Sequence, residues 1–524
     1  MRRQKKLSKR PRTSGLLAGC LGAVALLATA SAASAKIYRP TRTDDPVPNG
    51  CKKKDCSLRE AVIAADASGM PATILLRPGR RYVLTRPGLG EDAAATGDLD
   101  VTSDLTVGTK GLVGIKKGQR GAKRAVIDGN DIDRIFDVQG PGLMLDWIVA
   151  RNGHARKSAG DDGDGGAVRG GFLELLHSSL VSNVAAGNGG AFAITASPFN
   201  FAMKAALLKG NNAAGNGGAV YVSGSPGLFG GAMNSVRAVD NSAGGSGGAI
   251  FGTGLSIDHS TVADNRSGAD GGGIALSGTG SNFVSWSTVS GNRAASSGGG
   301  IHTTALSTAP AAAAGVRGLG MGNSTIANNS AAGNGGGIGA SGGNSTTELG
   351  GDTVARNLAG PGHVGGGLYQ GNGDVIGVQD TIVALNLGGT APDCASASSG
   401  FDSLGYNLIG NADGCSGFGA AGDLFGGRLS LGKLADNGGA KPAGRDSGGG
   451  ITYWTYGRPV QTIALGRGSR AIDHGLRISG TDERGVKRGK KPDIGAYERV
   501  VKSYRLVTAP RPSRCTKTGP ICAK

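Results

Sequence analysis

The sequence predicts an all-β chain folded as a right-handed parallel β-helix that begins with a short capping helix. A motif recurs at intervals of 24, 28, 30, 24, 27, 37 and 30 residues, and 99 of the 524 residues are glycine. Periods in this range are typical of solenoids, in which each coil buries its strands against the next. The glycines show no G-X-Y period, which excludes collagen.

The repeat is an Asn followed six residues later by Gly-Gly, then by Ala or Gly and one apolar residue. It occurs at Asn183/Gly189, Asn211/Gly217, Asn241/Gly247, Asn265/Gly271, Asn292/Gly298 and Asn329/Gly335, with a looser copy at Asn357/Gly365 and a stretched one at Asn152/Gly165. The apolar residues that close the copies are Val168, Phe192, Val220, Ile250, Ile274, Ile301, Ile338 and Leu368.

Polar and apolar residues alternate over only a few positions within each repeat, as in 287–290 and 380–384. This alternation predicts strands of about four to six residues. Three such strands with turns fill one coil. Because Asn both donates and accepts hydrogen bonds and tolerates left-handed backbone angles, stacked Asn residues can bond as a ladder. The predicted ladder contains Asn183, Asn211, Asn241, Asn265, Asn292, Asn329 and Asn357. The glycines permit a sharp corner.

Residues 1–35 have the pattern of a cleaved secretion signal. Seven basic residues precede the apolar run 16–30, and Ala33-Ser34-Ala35 fits the cleavage pattern. A lipoprotein box at 17–20 and twin-arginine export through Arg2-Arg3 fit less well, because the first would begin the apolar run and the second lacks the rest of its motif. No other stretch approaches the ~20 apolar residues of a membrane-spanning helix.

The mature chain begins with a segment, 36–70, that we expect to cap the solenoid. Ser57 and Glu60 form a capping box, and apolar residues recur at helical spacing from Leu58 to Ala65. Such a helix covers the open edge and apolar end that a first coil exposes.

The cysteines agree with export. Outside the signal segment there are six, in three close pairs, and an even number in an exported chain suggests disulfides. The simplest pairing is Cys51–Cys56, Cys394–Cys415 and Cys515–Cys522.

Several motifs resemble known exported families. The run 56–61, CSLREA, resembles the signature of the bacterial CSLREA domain, found at the start of right-handed β-helix proteins of the pectate-lyase-like type. The Gly-Gly-Ala repeats are similar to those of chlamydial polymorphic outer-membrane proteins. Segments 405–410, 431–439, 469–475, 482–485 and 493–498 resemble a choice-of-anchor Q domain. The resemblance implies a β-helix over 71–430 and an anchor-type domain over 431–498.

Charge is concentrated at the two ends of the chain. Without the seven basic residues of 1–35 and the seven of the tail 499–524, the formal charge of +18 falls to +4. The tail is suited to an anionic envelope polymer, phospholipid head groups or nucleic acid. Nucleic-acid binding rests on this tail alone and is disfavoured.

The sequence carries few groups arranged for chemistry. The acidic run Asp161, Asp162 and Asp164 is a weak candidate for Ca²⁺ binding, although a turn of Asp and Gly needs no metal. The six histidines are scattered singly. Asp482, Arg484, Asp493 and Glu498 are expected to form buried ion pairs that close the last coil. No catalytic residue and no cofactor is therefore predicted.

These observations favour a non-enzymatic protein, secreted or associated with the cell envelope, that acts as an adhesin-like scaffold for glycan or protein contact. The alternative is a polysaccharide lyase or glycoside hydrolase with a diverged site. Clustered carboxylates on one face of adjacent coils, with aromatic residues beside them, would favour the enzyme. A face of Ser, Thr, Asn and Gly would favour the scaffold, and the sequence shows mostly the latter.

Overall fold

A computed structural model describes residues 35–113, 123–277, 280–304, 318–398, 400–438, 443–445, 451–453 and 460–500. Nearly all of the proposed signal segment and of the basic tail lie outside these ranges, as do the Ala-rich loop of 305–315, Cys515 and Cys522. Within them, no helix is long and apolar enough to cross a membrane.

The chain forms a right-handed parallel β-helix, as predicted, whose coils contribute to four parallel sheets. Sheets 1, 2, 3 and 4 are numbered in the order in which a coil visits them. Sheet 1 has 13 strands: Lys36–Tyr38, Ala72–Leu76, Asp104–Thr109, Gly142–Asp146, Phe172–Leu176, Phe199–Lys204, Pro226–Asn234, Leu255–Asp258, Ser281–Ser285, Gly318–Gly322, Thr346–Gly350, Val375–Gln379 and Asp402–Gly405.

Sheet 2 also has 13 strands: Arg81–Val83, Ala125–Asp128, Ile148–Arg151, Ser179–Val181, Leu207–Lys209, Arg237–Val239, Thr261–Ala263, Thr288–Ser290, Thr325–Ala327, Thr353–Ala355, Ile382–Ala384, Leu408–Ile409 and Leu424–Phe425. Sheet 3 has eight two-residue strands: His154–Ala155, Val184–Ala185, Asn212–Ala213, Ser242–Ala243, Arg266–Ser267, Arg293–Ala294, Ser330–Ala331 and Leu358–Ala359.

Sheet 4 has 11 strands: Leu99–Val101, Phe136–Val138, Val168–Gly170, Phe192–Ile194, Val220–Val222, Ile250–Gly252, Ile274–Ser277, Ile301–Thr304, Ile338–Ala340, Leu368–Gln370 and Cys394–Ser396. Two antiparallel pairs lie outside the coils, Leu431–Ala435 with Thr462–Leu465 and Ala443–Arg445 with Ile451–Tyr453. At ~4.8 Å per coil, 13 coils make a rod roughly 60 Å long.

The apolar residues that close the repeats stack in sheet 4, as the period predicts. Each one pairs with its equivalent in the next coil, from Val168 to Leu368. The same column continues beyond the repeat to Leu99 and Phe136 at one end and to Cys394 at the other. These side chains belong to one apolar cluster that runs the length of the solenoid.

Each glycine of the Gly-Gly pair is required for a different steric reason, as Gly217 and Gly218 show. Gly217 has φ +66°, and a Cβ there would lie 2.2 Å from the carbonyl oxygen of Val220. A Cβ on Gly218 would lie 2.1 Å from the carbonyl oxygen of Gly248, its equivalent in the next coil. The first glycine therefore makes the corner, and the second allows consecutive corners to stack.

The seven asparagines form a continuous buried ladder. From Asn211 onward, the Oδ1 atom of each accepts the backbone N–H and the Nδ2–H of the preceding member at 2.9–3.0 Å. Each Nδ2 also donates to a backbone carbonyl, as Asn211 does to Leu180. The ladder continues to Asn386 and ends at Asp393, whose carboxylate only accepts.

The N-terminal helix, Leu58–Asp66, has the predicted capping box and packs against the first strands of sheets 1 and 4. Its buried side chains include Leu58, Ala61 and Val62, which join the main core. A disulfide joins Cys51 to Cys56 just before the helix. A second joins Cys394 to Cys415 at the other end of the solenoid, where Phe418 packs on Phe401.

The C-terminal segment does not close the last coil. Residues 460–498, here named the strap, lie across the outer face of sheet 2. Ile382 and Leu408 of sheet 2 pack against Leu465, Ala471 and Ile494 of the strap. The strap was predicted at the end of the last coil. Apolar contacts with the outer face of sheet 2 hold it against the side of several coils instead.

Only part of the predicted ion pairing in the strap is present. Arg484 pairs with Asp482 at 2.7 Å, and the carboxylate of Glu498 pairs with Arg488 at 3.7 Å. Asp493 instead accepts backbone N–H groups, from Asp473 and Arg499.

Candidate functional site

The outer face of sheet 4 carries rows of side chains to which each coil contributes one residue. Because strand residues alternate in direction, the residue after each stacked apolar residue points outward. In register order the row is Asp100, Asp137, Arg169, Ala193, Tyr221, Phe251, Ala275, His302, Gly339, Tyr369 and Ala395. We name it the sheet-4 row. Two residues further along the strands lies a row rich in hydroxyl groups: Thr195, Ser223, Thr253, Ser277, Thr304 and Ser341.

Two aromatic side chains stand in the middle of the sheet-4 row. The rings of Tyr221 and Phe251 stack with centroids 5.4 Å apart and planes 17° apart. Ala193 lies beside Tyr221 in the preceding coil, and Ala275 lies beside Phe251 in the following one. Small neighbours on both sides leave the outer faces of this aromatic pair free of other row side chains.

Carboxylates cluster at the N-terminal end of the row. Oxygen atoms of Asp92, Asp100 and Asp137 all lie within 4.8 Å of one another, and Asp92 is exposed whereas the other two are buried. The Nε2 atom of Gln139 lies 3.1 Å from Asp92 and 3.3 Å from Asp100. Arg169 binds Asp137 through two nitrogens, with Nε 3.0 Å from Oδ1. The row thus begins with an acidic cluster that is partly neutralised by the guanidinium groups of Arg169 and Arg134, the latter 3.9 Å from Asp137.

Burial changes the acidity of this cluster. Burial, followed by the repulsion of Asp137, Glu91 and Asp92, raises the pKa of Asp100 to about 6, although the N–H of Ala94 opposes the shift. Beneath the cluster, burial raises the pKa of Asp98 to about 8 despite its 2.9 Å ion pair with Arg134. A carboxyl with a pKa of about 6 changes protonation near neutral pH, which is the property of a general acid or base.

The acids predicted to bind Ca²⁺ do not converge. Asp161 accepts two bonds from Arg134 and pairs with Arg169 at 3.0 Å, so its oxygens are already bound by guanidinium groups. Asp162 is exposed. Asp164 is buried, and its Oδ1 accepts the backbone N–H of Asn188 at 2.6 Å. Because two of the three carboxylates serve structural bonds, this run does not fit a metal site.

The cluster of Asp92, Asp100 and Asp137 fits a cation only in part. Three carboxylates suit Ca²⁺. However, both oxygens of Asp137 are taken by Arg169, and Gln139 points an N–H donor at the other two acids. The carboxylates are therefore satisfied by the chain's own donors.

A groove of about 260 Å³ adjoins the cluster. It lies over three successive coils of sheet 4, between the acidic cluster and the aromatic pair. Its lining consists of Asp137, Val138, Gln139, Arg169, Gly170, Gly171, Thr195 and Ala196. Carboxylate, amide, guanidinium and hydroxyl groups thus meet in one shallow groove.

Sequence reasoning missed the acidic cluster. Asp100 and Asp137 precede the regular repeat, so the repeat register does not align them, and Asp92 lies in a loop. A usable signal exists, because 99–101 and 136–138 both read as apolar–Asp–Val, which places the two acids at equivalent positions.

A second ladder was also missed, and it accounts for Asp164. At six of the eight Gly-Gly pairs of the repeat, the residue immediately before the pair accepts the backbone N–H of its equivalent in the next coil, at 2.6–3.3 Å. Its described acceptors are Asp164, Asn188, Asn216, Ser246, Asp270 and Asn334. The recurring Asn, Asp or Ser before Gly-Gly is its sequence signal.

His302 occupies the sheet-4 row but is buried and bound by its neighbours. Its Nε2 lies 2.8 Å from Ser341 Oγ, and its Nδ1 lies 3.2 Å from Thr304 Oγ1. Burial lowers its pKa. These contacts indicate a structural role.

No protein-family model and no curated protein matches the chain. Among solved structures, it is similar to pectate lyase Pel9A at 14% identity and a TM-score of 0.33, covering 89% of this chain and 96% of that one. It is also similar to the A-module of mannuronan C-5 epimerase AlgE6 of Azotobacter vinelandii, at 14% identity and a TM-score of 0.36, covering 74% and 94% respectively. At this level of similarity, neither likeness supports an assignment of function.

Proposed function

We propose that this chain is an exported β-helix that contacts a polysaccharide along the outer face of sheet 4 and serves as an adhesin-like scaffold. The observation that carries the proposal is the order of groups on the sheet-4 row. The groove at Asp137 is lined by acidic and amide groups. The stacked pair of Tyr221 and Phe251 follows it along the row and begins two coils after Arg169.

The dimensions of the row suit a linear polymer. Successive coils are spaced by ~4.8 Å, so the groove and the aromatic pair together extend over roughly 20 Å. Aromatic side chains supply apolar contact area, and precisely placed polar groups fix orientation in a binding groove. The hydroxyl-rich row beginning at Thr195 lies alongside and can exchange hydrogen bonds with a polyol.

Export and attachment to the cell envelope rest on sequence features alone. They are the signal-like segment 1–35, the resemblance of 56–61 to the CSLREA signature, and that of 431–498 to the choice-of-anchor Q domain. The two disulfides formed by Cys51–Cys56 and Cys394–Cys415 are consistent with an oxidising compartment. We propose the basic tail as a further contact with an anionic envelope polymer.

The double substitution Tyr221→Ala/Phe251→Ala is expected to weaken polysaccharide binding at least about tenfold, because aromatic anchors dominate interface energies. The measurement is retention of the full chain on immobilised polysaccharides. Phe283→Ala is the matched control, since Phe283 is an aromatic residue 39% exposed on sheet 1. Equal binding by the double variant and the wild type would place the contact elsewhere.

Polysaccharide cleavage is the second candidate function, and the acidic cluster favours it. Asp100 and Asp137 lie on adjacent coils beside Arg169, and burial raises the pKa of Asp100 to about 6. Paired carboxylates of this kind serve glycoside hydrolysis or proton abstraction. Asp100→Asn should abolish any release of reducing ends or unsaturated uronates while leaving retention on the polymer intact. If Asp100→Asn retains full turnover, Asp100 is not the catalytic acid.

A further inference from the structure

The strap is tied to sheet 2 through a row of threonines. Thr288, Thr325 and Thr353 occupy equivalent outward positions in three successive coils. Thr288 Oγ1 accepts the backbone N–H of Gln461 at 2.9 Å, and Thr353 Oγ1 accepts that of Ala496 at 3.0 Å. The strap therefore crosses several coils and meets each at a hydroxyl group.

Glu483 is the strap side chain that meets two of these hydroxyls. It is 1% exposed, its Oε1 lies 3.1 Å from Thr288 Oγ1, and its Oε2 contacts Thr325 Oγ1. The two hydroxyls donate to the carboxylate and favour its ionised form, whereas burial and the charges of Asp482, which is paired with Arg484, and of Asp352 oppose it. A carboxylate between two hydroxyls and two acids lacks a cation, whereas a protonated carboxyl can donate to a threonine oxygen.

Asp380 is a second acid at the same interface. It belongs to the corner between sheets 1 and 2, and its Oδ1 and backbone oxygen accept the N–H groups of Leu476 and Gly495, both in the strap, at 2.9 Å. Its Oδ2 is buried and has no hydrogen-bond partner among the described residues. A buried carboxylate oxygen without a donor is costly, and protonation lowers that cost because it removes the buried charge.

The surroundings of Asp380 include both signs of charge. Arg488 of the strap favours the ionised form, whereas Glu498 of the strap and Asp352 of the solenoid oppose it. The guanidinium of Arg488 is already engaged, with Nη1 donating to Asp493 O at 2.9 Å and Nη2 to Asn323 Oδ1 at 3.1 Å. Its cationic field is therefore shared with other acceptors and does not bond directly to Asp380 Oδ2.

We propose that the strap is a pH-sensitive latch, docked on sheet 2 while Glu483 and Asp380 hold a proton and released when they ionise. Release uncovers Ile382, Leu408 and the threonine row, which the strap otherwise buries. This gives the protein a second, apolar face whose exposure increases as pH rises.

The direction of the pH dependence follows from the acidity of the two groups. Burial raises the pKa of Asp380 to about 8 and that of Glu483 well above its ordinary value. Docking is therefore strongest below the ordinary carboxyl pKa of about 4 and weakens as pH rises, and the contribution of Asp380 is lost as pH rises through about 8. For Asp380 alone, the docking equilibrium falls roughly 50-fold between pH 6 and pH 8.

The test is hydrogen exchange of the full chain at pH 6 and pH 8.5, with exchange times scaled for the intrinsic rate. Protection of 460–498 is expected to fall at pH 8.5, whereas the distant strands Ile148–Arg151 and Leu207–Lys209 serve as internal references. The double neutral variant Glu483→Gln/Asp380→Asn should retain strap protection at pH 8.5, and each single variant should retain more protection than the wild type. Glu348→Gln, on the exposed face of sheet 1, should behave as wild type.

Two results would overturn the latch. One is equal strap protection at both pH values in the wild type. The other is loss of protection at pH 8.5 by a folded Glu483→Gln/Asp380→Asn variant to the same extent as the wild type. Protection of the reference strands shows in the same experiment that each variant is folded.

Discussion

Asn211→Ala is expected to destabilise the solenoid by about 3 to 6 kcal/mol. The change removes the acceptor of the Asn183 backbone N–H and Nδ2–H and the donor to Leu180 O, all buried. Each buried polar group left without a partner costs about 1–3 kcal/mol. Chemical denaturation measures the loss.

Asn212 supplies a matched control one residue away. It is exposed, and its side chain takes no part in the ladder. Asn212→Ala should therefore stay within about 0.5 kcal/mol of wild type. Equal effects of the two substitutions would show that the ladder does not stabilise the fold. In a solenoid the unfolding can be local, so hydrogen exchange should report weakening in coils next to Asn211 first.

Arg59→Met is expected to cost about 3 to 5 kcal/mol, because it leaves the buried Asp45 without its ion-pair partner. The Arg59 side chain is fully buried and pairs with both oxygens of Asp45. It also donates to four backbone carbonyls, at Ala94, Thr96, Gly97 and Asp98. Arg59 thereby joins the capping helix to the loop that carries Asp92.

Hydrogen exchange of Arg59→Met is expected to be faster than that of the wild type in Leu58–Asp66 and in the loop 94–98. Chemical denaturation should show a lower free energy of unfolding. Arg80→Met is the control, since Arg80 is exposed and its side chain has no bond among the described residues. If Arg59→Met matched Arg80→Met, the cap would be held by apolar packing of Leu58 and Val62 alone.

The coils and their register could be predicted because they repeat. The Asn and the closing apolar residue each recur at one position per coil, so their stacking follows from the period. Asn386 was not predicted as a member of the ladder, because its Gly-Gly pair begins two residues later and not six residues later. Its hydrogen bonds to Asn357 nevertheless match those between the other members.

The acidic cluster and the strap could not be placed by the same reasoning. Asp92 reaches Asp100 and Asp137 from a loop without periodicity, and loop conformation depends on contacts such as those of Arg59. The strap has no repeat of its own. Its position depends on Thr288, Thr325 and Thr353, whose outward direction is evident only once the coils are built.

The measurement that tests the proposed function most directly is retention of the full chain on a panel of plant, algal and bacterial polysaccharides, with new reducing ends and unsaturated uronates followed with and without Ca²⁺. The account predicts retention on at least one polymer that weakens in Tyr221→Ala/Phe251→Ala and persists in Phe283→Ala. Absence of retention on every polymer, or retention unaffected by the sheet-4 substitutions, would contradict it.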